Sequence, residues 1–134
     1  MGTMMEMMES MPQAATTGMD MAMMQECIEA CSAVSMTATM CADADSGDDM
    51  ARCASMCANM ADVATATMRM MMRPTGYEPG VMHAMMTACV TMAEACAAEC
   101  RRHAEMHEHC RICASACEAM VETCRRAMSS MSAA

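Results

Sequence analysis

The fold of this chain is decided by the stretch from Cys89 to Cys124, which reads CVTMAEACAAECRRHAEMHEHCRICASACEAMVETC. It contains seven of the twelve cysteines, and their successive spacings are 7, 4, 10, 3, 4 and 7 residues. Spacings of 3, 4 and 7 keep side chains on one face of an α-helix. The stretch therefore predicts two helices, each with a line of thiols, joined by a turn rich in arginine and histidine.

The rest of the composition points to a thin core. A chain of 134 residues is long enough for one domain with one core, but it has no Leu, Phe or Trp and 27 Met. Its 55% hydrophobic content is mostly Ala, Met and Cys. Burial contributes roughly 25 cal/mol per Å² of apolar surface, and Ala and Cys have little such surface. We therefore expect a marginally stable empty core that metal–ligand bonds stabilise further.

The charge and the apolar runs exclude two classes of partner. A net charge of −9 repels the phosphates of nucleic acids, so we expect no nucleic-acid partner. No apolar run approaches the roughly 18 residues of a membrane span, so we also expect no membrane span. The Met-rich start carries Glu6 and Glu9 and lacks the basic region of a signal peptide.

The cysteine spacing favours metal binding over disulfides. Cysteines at i and i+4 on a helix have Cβ atoms about 5–6 Å apart, whereas a disulfide needs roughly 3.5–4.5 Å. Four pairs have this spacing: Cys27/Cys31, Cys53/Cys57, Cys96/Cys100 and Cys113/Cys117. Each pair is well placed to share one metal ion. Bridges between helices remain possible, so a structural module held by disulfides stays open as an alternative.

The breaks in the sequence predict four helices after a tail. Residues 1–16 are interpreted as a flexible Met-rich tail, and residues 17–134 as the helical domain. Capping boxes at Thr17–Asp20 and Ser46–Asp49 mark two helix starts. Pro79 suits the first position of the third helix. The predicted helices cover about residues 18–42, 47–72, 80–102 and 107–130.

The last break has no local signal, because no Gly or Pro follows Gly80. We place it within Arg101–Glu108, since this segment is polar all round and only a fold-back lets the two lines of thiols face each other. Helices with short connections pack as antiparallel neighbours. The fold class is therefore all-α: an up-down-up-down four-helix bundle with a core lined by Cys and Met. One end should gather methionines, and the other should gather the Asp residues of the first loop and three histidines.

The segment Glu99–Cys117, ECRRHAEMHEHCRICASAC, resembles the bacterial copper storage proteins. The shared pattern is ACxxEC, a basic pair with His, and then HxxCxxC. The resemblance is close over the third and fourth helices, weaker over the first two, and does not cover the tail. It implies a Cys-lined four-helix bundle that holds many Cu(I) ions in its core. Family members often have Cys where this chain has Val34, Ala38, Met86 and Met120.

The resemblance also implies which residues bind the copper. Thiolate ligands carry over to the twelve cysteines, thioethers at Met86 and Met120 stand in for thiols, and histidines surround the open end. The resulting set of metal-site residues is Cys27, Cys31, Cys41, Cys53, Cys57, Cys89, Cys96, Cys100, Cys110, Cys113, Cys117, Cys124, Met86, Met120, His103, His107 and His109. For the histidines, a solvated polar turn is the simpler alternative. For most of the methionines, the simpler alternative is packing.

The chemistry of the donors agrees with a copper store. Cu(I) is soft and accepts thiolates and thioethers at low coordination number, so the core has room for about one ion per Cys. Zinc prefers four tetrahedral ligands, usually from CxxC pairs on turns, and only Cys110/Cys113 has that spacing. A zinc or general metallothionein-like store remains the alternative. A thioredoxin-like redox role for Cys110 and Cys113 would need a βαβ setting that is absent, and an iron–sulfur cluster would need four ligands at one spot. We expect no catalysis.

The remaining expectations concern partners and compartment. The expected ligand is copper, the expected protein partner is a copper-requiring enzyme or a copper chaperone, and the chain is expected to form a homo-oligomer. The third and fourth helices are most similar to the exported branch of the family, and the methionine content agrees with that branch. We therefore expect an exported or periplasmic protein, with a cytoplasmic one as the alternative.

Overall fold

Five α-helices account for most of the computed structural model, which describes residues 2–11 and 21–133. They are α1 (Gly2–Glu9), α2 (Met21–Ala44), α3 (Ala51–Met71), α4 (Pro79–Arg101) and α5 (Glu108–Ala133). Short 3₁₀ turns at Asp48–Met50 and Pro74–Gly76 lie in the two connections beside α3. No strand occurs within the two described ranges.

Helices α2 to α5 form an antiparallel four-helix bundle. Each packs against two neighbours: α2 against α3 and α5, and α4 against α3 and α5. Because consecutive helices are neighbours in space, the connections are short and the order is up-down-up-down. The fold class predicted from the sequence is confirmed.

Sulfur and small side chains fill the core. The twelve cysteines and four methionines (Met50, Met60, Met86 and Met120) are at most 1% exposed. Between them lie fully buried alanines, such as Ala38, Ala64 and Ala93. The bundle interior is therefore a column of sulfur atoms with small alanine side chains between them.

The first connection differs from the prediction. The expected capping box at Ser46–Asp49 does not form, because the chain enters through Gly47 at φ 93° and no side chain caps the 3₁₀ turn that follows. This turn occupies the first positions of the predicted helix, and α3 begins at Ala51. Pro79 does start α4, in the first turn where its missing N–H costs nothing. The other expected box, Thr17–Asp20, lies outside the described residues, as does the predicted helix start at residue 18.

The connection between α4 and α5 is the segment without a local signal. It is a series of tight turns in which the His103 N–H donates to the Cys100 carbonyl at 3.0 Å and the His107 N–H donates to the His103 carbonyl at 2.9 Å. Arg101 Nη2 donates to Glu118 Oε1 at 2.6 Å. This ion pair joins the end of α4 to α5 across the fold-back. The break therefore lies between Arg101 and Glu108, where it is expected.

The N-terminal segment is more ordered than the predicted flexible tail. Residues Gly2–Glu9 form a helix that contacts α2, and Met8 is only 4% exposed. Met4 also packs against the core, one helical turn before Met8. A helix of eight residues is too short to be stable alone, so the contacts of these methionines with the bundle hold it in place.

Among the described residues, one helix is long and apolar enough to cross a membrane by length and composition. This is α4, whose most apolar window has a mean hydropathy of 1.3 and is 39% buried inside the bundle. Cys, Met and Ala raise hydropathy, and α4 turns its line of thiols toward the core. The same values are common for the core helix of a bundle.

Candidate metal centre

All twelve cysteines lie inside the bundle as free thiols. Eleven are completely buried, and Cys41 is 1% exposed. Helix faces with spacings of 3, 4 and 7 place them there, because each helix turns one such face toward the axis. The structure thus brings together every cysteine that the sequence assigns to the site.

The densest cluster lies in the middle of the bundle. Cys57 Sγ is 3.6 Å from Cys100 Sγ, 3.8 Å from Cys96 Sγ and 4.0 Å from Cys113 Sγ. The sulfurs of Cys41, Cys57, Cys100 and Cys113 all lie within 4.8 Å of one another. A second group on α4 and α5 has the same spread, and it consists of Cys96, Cys113 and Cys117. The two groups share Cys113, so the sulfur atoms form a continuous column.

The sulfur–sulfur distances suit metal bridging. A disulfide requires about 2.05 Å, roughly half of the 3.6–4.0 Å found around Cys57. A trigonal ion with metal–sulfur bonds of roughly 2.3 Å has its ligands roughly 4 Å apart. The column is therefore spaced for ions that share sulfurs, and the disulfide alternative does not fit these contacts.

Burial and hydrogen bonds between neighbouring thiols together control the protonation of these cysteines. Burial, followed by repulsion from Cys41, raises the pKa of Cys110 to about 12. Burial likewise raises the pKa of Cys53 well above its ordinary value. In contrast, hydrogen bonds from Cys100 and Cys117 lower the pKa of Cys113. In the copper-free protein, most thiols of the column are therefore protonated, and a few with a lowered pKa ionise more readily. A metal ion that binds to the column displaces the protons.

Two methionines extend the column beyond the central cluster. Met86 and Met120 are both fully buried. The Cys89 thiol lies 3.8 Å from Met120 Sδ. The structure thus places one of the two predicted thioethers in direct contact with a thiol, and the other in the same core.

The end of the column away from Met86 and Met120 combines three kinds of donor. We call this end the mouth, and it consists of Cys41, Asp45, Cys53, His109 and Cys110. Cys41 Sγ lies 3.3 Å from His109 Nδ1 and 3.9 Å from Cys110 Sγ. Donor atoms of Cys41, Asp45, Cys53 and Cys110 fall within 4.8 Å of one another. The mouth therefore offers thiol, imidazole and carboxylate donors at one place.

Asp45 is the site residue that the sequence interpretation missed. Its side chain is fully buried, and Oδ1 lies 3.6 Å from His109 Nδ1 and 3.7 Å from Cys110 Sγ. Its other oxygen, Oδ2, is buried without a hydrogen-bond partner. A signal was available, because Asp45 follows Cys41 by four residues. The sequence predicted that the Asp residues of this loop lie at the same end as the histidines, but none of them was assigned to the site.

The three histidines differ in their contacts. In the described part of the chain, His109 is the one of the three that contacts thiols, those of Cys41 and Cys110. His103 Nε2 lies 3.0 Å from Glu99 Oε2, and the ring of His107 lies 5.4 Å from the ring of His109. His103 therefore belongs to an ion-pair network at the rim, and His107 stands beside the mouth without reaching its sulfurs in the described contacts.

Glu99 is the centre of the rim network. This carboxylate is 6% exposed, and Arg52 Nε lies 3.1 Å from its Oε1. Arg102 Nη1 approaches the same oxygen at 3.6 Å. Burial acts to raise the pKa of Glu99, but the hydrogen bonds from His103 and Arg52 outweigh it and hold the pKa below its usual value. The network joins α3, α4 and the following turn around the mouth.

Comparisons with known proteins agree with this architecture. A family model described as copper storage protein matches residues 13–129. The copper storage protein Ccsp from Streptomyces lividans, loaded with 10 copper equivalents, is 39% identical with a TM-score of 0.88, and the match covers 93% of this chain and 97% of that one. A search of curated proteins gives no match.

A second solved structure corrects the expected compartment. It is a copper storage protein from Streptomyces lividans loaded with five coppers, and it is described as cytosolic. It is 41% identical with a TM-score of 0.78, and the match covers 81% of this chain and 93% of that one. The expectation of an exported or periplasmic protein is therefore wrong. That expectation relied partly on the methionine content, but the methionines here pack a core that has no leucine.

A mutant of Ccsp from the same organism gives a third match, at 40% identity and a TM-score of 0.81, over 85% of this chain and 98% of that one. The family model covers most of the sequence, and the structures share the bundle and exceed 30% identity. The chain belongs to the copper storage protein family.

Proposed function

We propose that this protein stores Cu(I) ions along the sulfur column of its bundle. The observation that carries the proposal is the set of twelve buried free thiols, whose central members lie 3.6–4.0 Å apart. Related proteins of known structure hold five or ten copper equivalents. A column with this many sulfurs has the capacity for about one ion per thiolate, because each sulfur can bridge two soft ions.

The proposed ligands fall into three groups. The twelve cysteines supply thiolates, and Met86 and Met120 supply thioethers within the same core. At the mouth, His109 and Asp45 add a nitrogen and an oxygen donor beside Cys41 and Cys110. His103 and His107 are assigned to the rim, where their rings meet an arriving ion before the thiols do.

Charge balance makes such a store possible. A thiol loses its proton when it binds a metal ion, so each thiolate and Cu(I) together add no net charge to the core. An uncompensated buried charge would be costly. Storage is therefore coupled to proton release, and the pKa of Cys110, raised to about 12, predicts release throughout the neutral range.

The proposal assigns no catalytic role. The thiols are distributed along the column, and Cys41, which lies 3.3 Å from His109 Nδ1, is assigned to the metal-binding mouth. The cytosolic description of one relative supports a cytosolic location for this chain. Exchange with a copper-requiring enzyme or a chaperone, and assembly into a homo-oligomer, stay predictions.

Anaerobic titration with Cu(I) in competition with a chromogenic chelator tests the proposal. We expect saturation at about a dozen ions per chain, near one per thiolate. Saturation at one or two ions would refute storage. A parallel titration with Zn²⁺ is the control, because an equal capacity for zinc would favour a general metallothionein-like store.

A further inference from the structure

A second concentration of sulfur lies at the closed end of the bundle, opposite the mouth. Here α2 begins, α3 ends and α1 packs across the opening. A cavity of about 220 Å³ lies between these three elements. Its N-terminal wall consists of Met4, Met7, Met8 and Met11.

The other wall of this cavity comes from the bundle itself. It consists of Met24, Met71 and Met72, with Ile28 and Pro74 completing the lining. Each of the nine described lining side chains is therefore apolar, and seven of the nine carry a thioether. We call this group of methionines the thioether cavity.

The chemistry of the lining decides what the cavity can bind. Methionine is flexible and fills irregular gaps in cores, yet these seven side chains leave a cavity open. The described lining side chains offer seven sulfur atoms and no nitrogen or oxygen donor. Thioether sulfur is a ligand for soft ions such as Cu(I), and a poor one for Zn²⁺, Mg²⁺ or Ca²⁺. We propose that the thioether cavity binds a Cu(I) ion through methionine sulfurs.

The cavity continues the line of thiols. Met24 is 3% exposed and precedes the fully buried Cys27 by three residues, so both lie on the core face of α2. On the outer side, Met7 is 59% exposed and gives the cavity contact with solvent. The geometry therefore places a thioether site between solvent and the last thiol of the column.

Binding here differs chemically from binding in the column. A thioether has no proton to lose, so the ion keeps its positive charge and uptake releases no proton. The N-terminal helix carries the carboxylates of Glu6 and Glu9 and no basic side chain, which favours a bound cation. The inference extends the proposed store, but it rests on the cavity lining and not on the thiols.

The test uses full-length protein labelled with ¹³C at the methionine methyl groups. Cu(I) is added anaerobically until the thiolate-to-copper absorption reaches its plateau, and then further Cu(I) is added. Thioethers bind more weakly than thiolates and fill last. We expect the methyl signals of Met4, Met24 and Met71 to shift on this further addition, while those of the exposed Met36 and Met40 stay in place. Unchanged cavity signals, or equal shifts of Met36 and Met40, would overturn the inference.

A pair of variants separates ligation from packing. The triple variant Met4→Leu, Met7→Leu and Met11→Leu keeps apolar volume, and these three residues are exposed or half-buried. It should abolish the late shifts of Met24 and Met71, whereas the variant Met36→Leu and Met40→Leu should retain them. Circular dichroism verifies that both stay folded.

The absorption signal reports the thiol store independently of the methyl shifts. Late methyl shifts without a thiolate plateau would refute the store and support the cavity. A normal plateau with unshifted cavity signals would support the store and refute the cavity site. Persistence of the shifts in the triple variant would assign them to a structural change and overturn the inference.

Discussion

The two ends of the bundle offer the same soft chemistry in different forms. At the mouth, the donors are thiols, which lose a proton when they bind a metal ion, together with the imidazole of His109 and the carboxylate of Asp45. At the closed end, the donors are thioethers, which have no proton to lose. Copper binding therefore releases protons at the mouth and releases none at the closed end. A change of pH should affect copper binding at the two ends differently.

The largest expected effect is that of pH on copper affinity. Burial raises the pKa of Cys110 to about 12, so its thiol is protonated at pH 6 and at pH 8, and binding must displace the proton at both. The affinity of the column should therefore rise with pH, about tenfold per unit for each proton displaced. Competition with a chelator at pH 6, 7 and 8 measures the copper affinity of the column.

The closed end supplies the control for this prediction. Shifts of the Met24 and Met71 methyl signals should have the same copper dependence at pH 6 and pH 8, because thioethers release no proton. A column affinity that is independent of pH would contradict proton-coupled storage.

The second effect concerns the continuity of the column between its ends. Cys57→Ala removes a sulfur that lies within 4.0 Å of three others, Cys96, Cys100 and Cys113. Capacity should fall by at least about one ion, since one bridging ligand is lost. The matched control is Val34→Ala, which removes fully buried carbon but no sulfur. It should lower the stability of the copper-free protein and leave capacity unchanged, as measured by titration and by chemical denaturation.

The third effect is a gain in stability at the mouth. Asp45 is a buried carboxylate with one oxygen that has no hydrogen-bond partner. Asp45→Asn removes the buried charge, and we expect the free energy of unfolding of the copper-free protein to increase by about 1–3 kcal/mol. Chemical denaturation of the copper-free protein measures this change. Stopped-flow uptake should be slower, because the mouth loses a charged donor.

Substitution of an exposed aspartate tests whether this gain in stability is specific to the mouth. Asp62 is exposed on α3, and Asp62→Asn should change neither stability by more than about 0.5 kcal/mol nor the uptake rate. If Asp45→Asn behaves like Asp62→Asn, the carboxylate has no role in copper capture.

The smallest effect is expected at the rim. Glu99 accepts charge-assisted hydrogen bonds from Arg52 and His103, and Glu99→Gln should cost about 1–2 kcal/mol of stability. Since the pKa of Glu99 lies below its usual value, its contribution is present above the ordinary pKa of Glu and is lost as the pH falls through the folded-state pKa. The exposed pair Glu94–Arg125 is the comparison, and Glu94→Gln should change stability by less than about 0.5 kcal/mol.

The sequence was sufficient for the features that depend on periodicity. Spacings of 3, 4 and 7 identify the buried face of each helix, so the burial of all twelve cysteines follows from one-dimensional information. The fold-back within Arg101–Glu108 was found only because the two lines of thiols had to face each other. Its tight turns depend on contacts such as the Arg101–Glu118 pair, which no local rule contains.

The features that were missed depend on contacts between distant parts of the chain. Asp45 becomes a site residue because the end of α2 lies beside the start of α5, which places its carboxylate next to Cys110. The helix Gly2–Glu9 exists because its methionines pack on the bundle, and eight residues carry too little helix propensity to reveal it. Spacing placed the three histidines together, but only the geometry of the turn distinguishes His109 from His103.

The sharing of sulfurs along the column has a consequence for how copper leaves. Cys113 belongs to two groups of thiols, and within each group the sulfurs lie within 4.8 Å of one another. An ion bound in one group therefore has a second set of ligands beside the first. The protein then works as a relay, in which an ion moves toward the mouth by exchanging one sulfur ligand for the next.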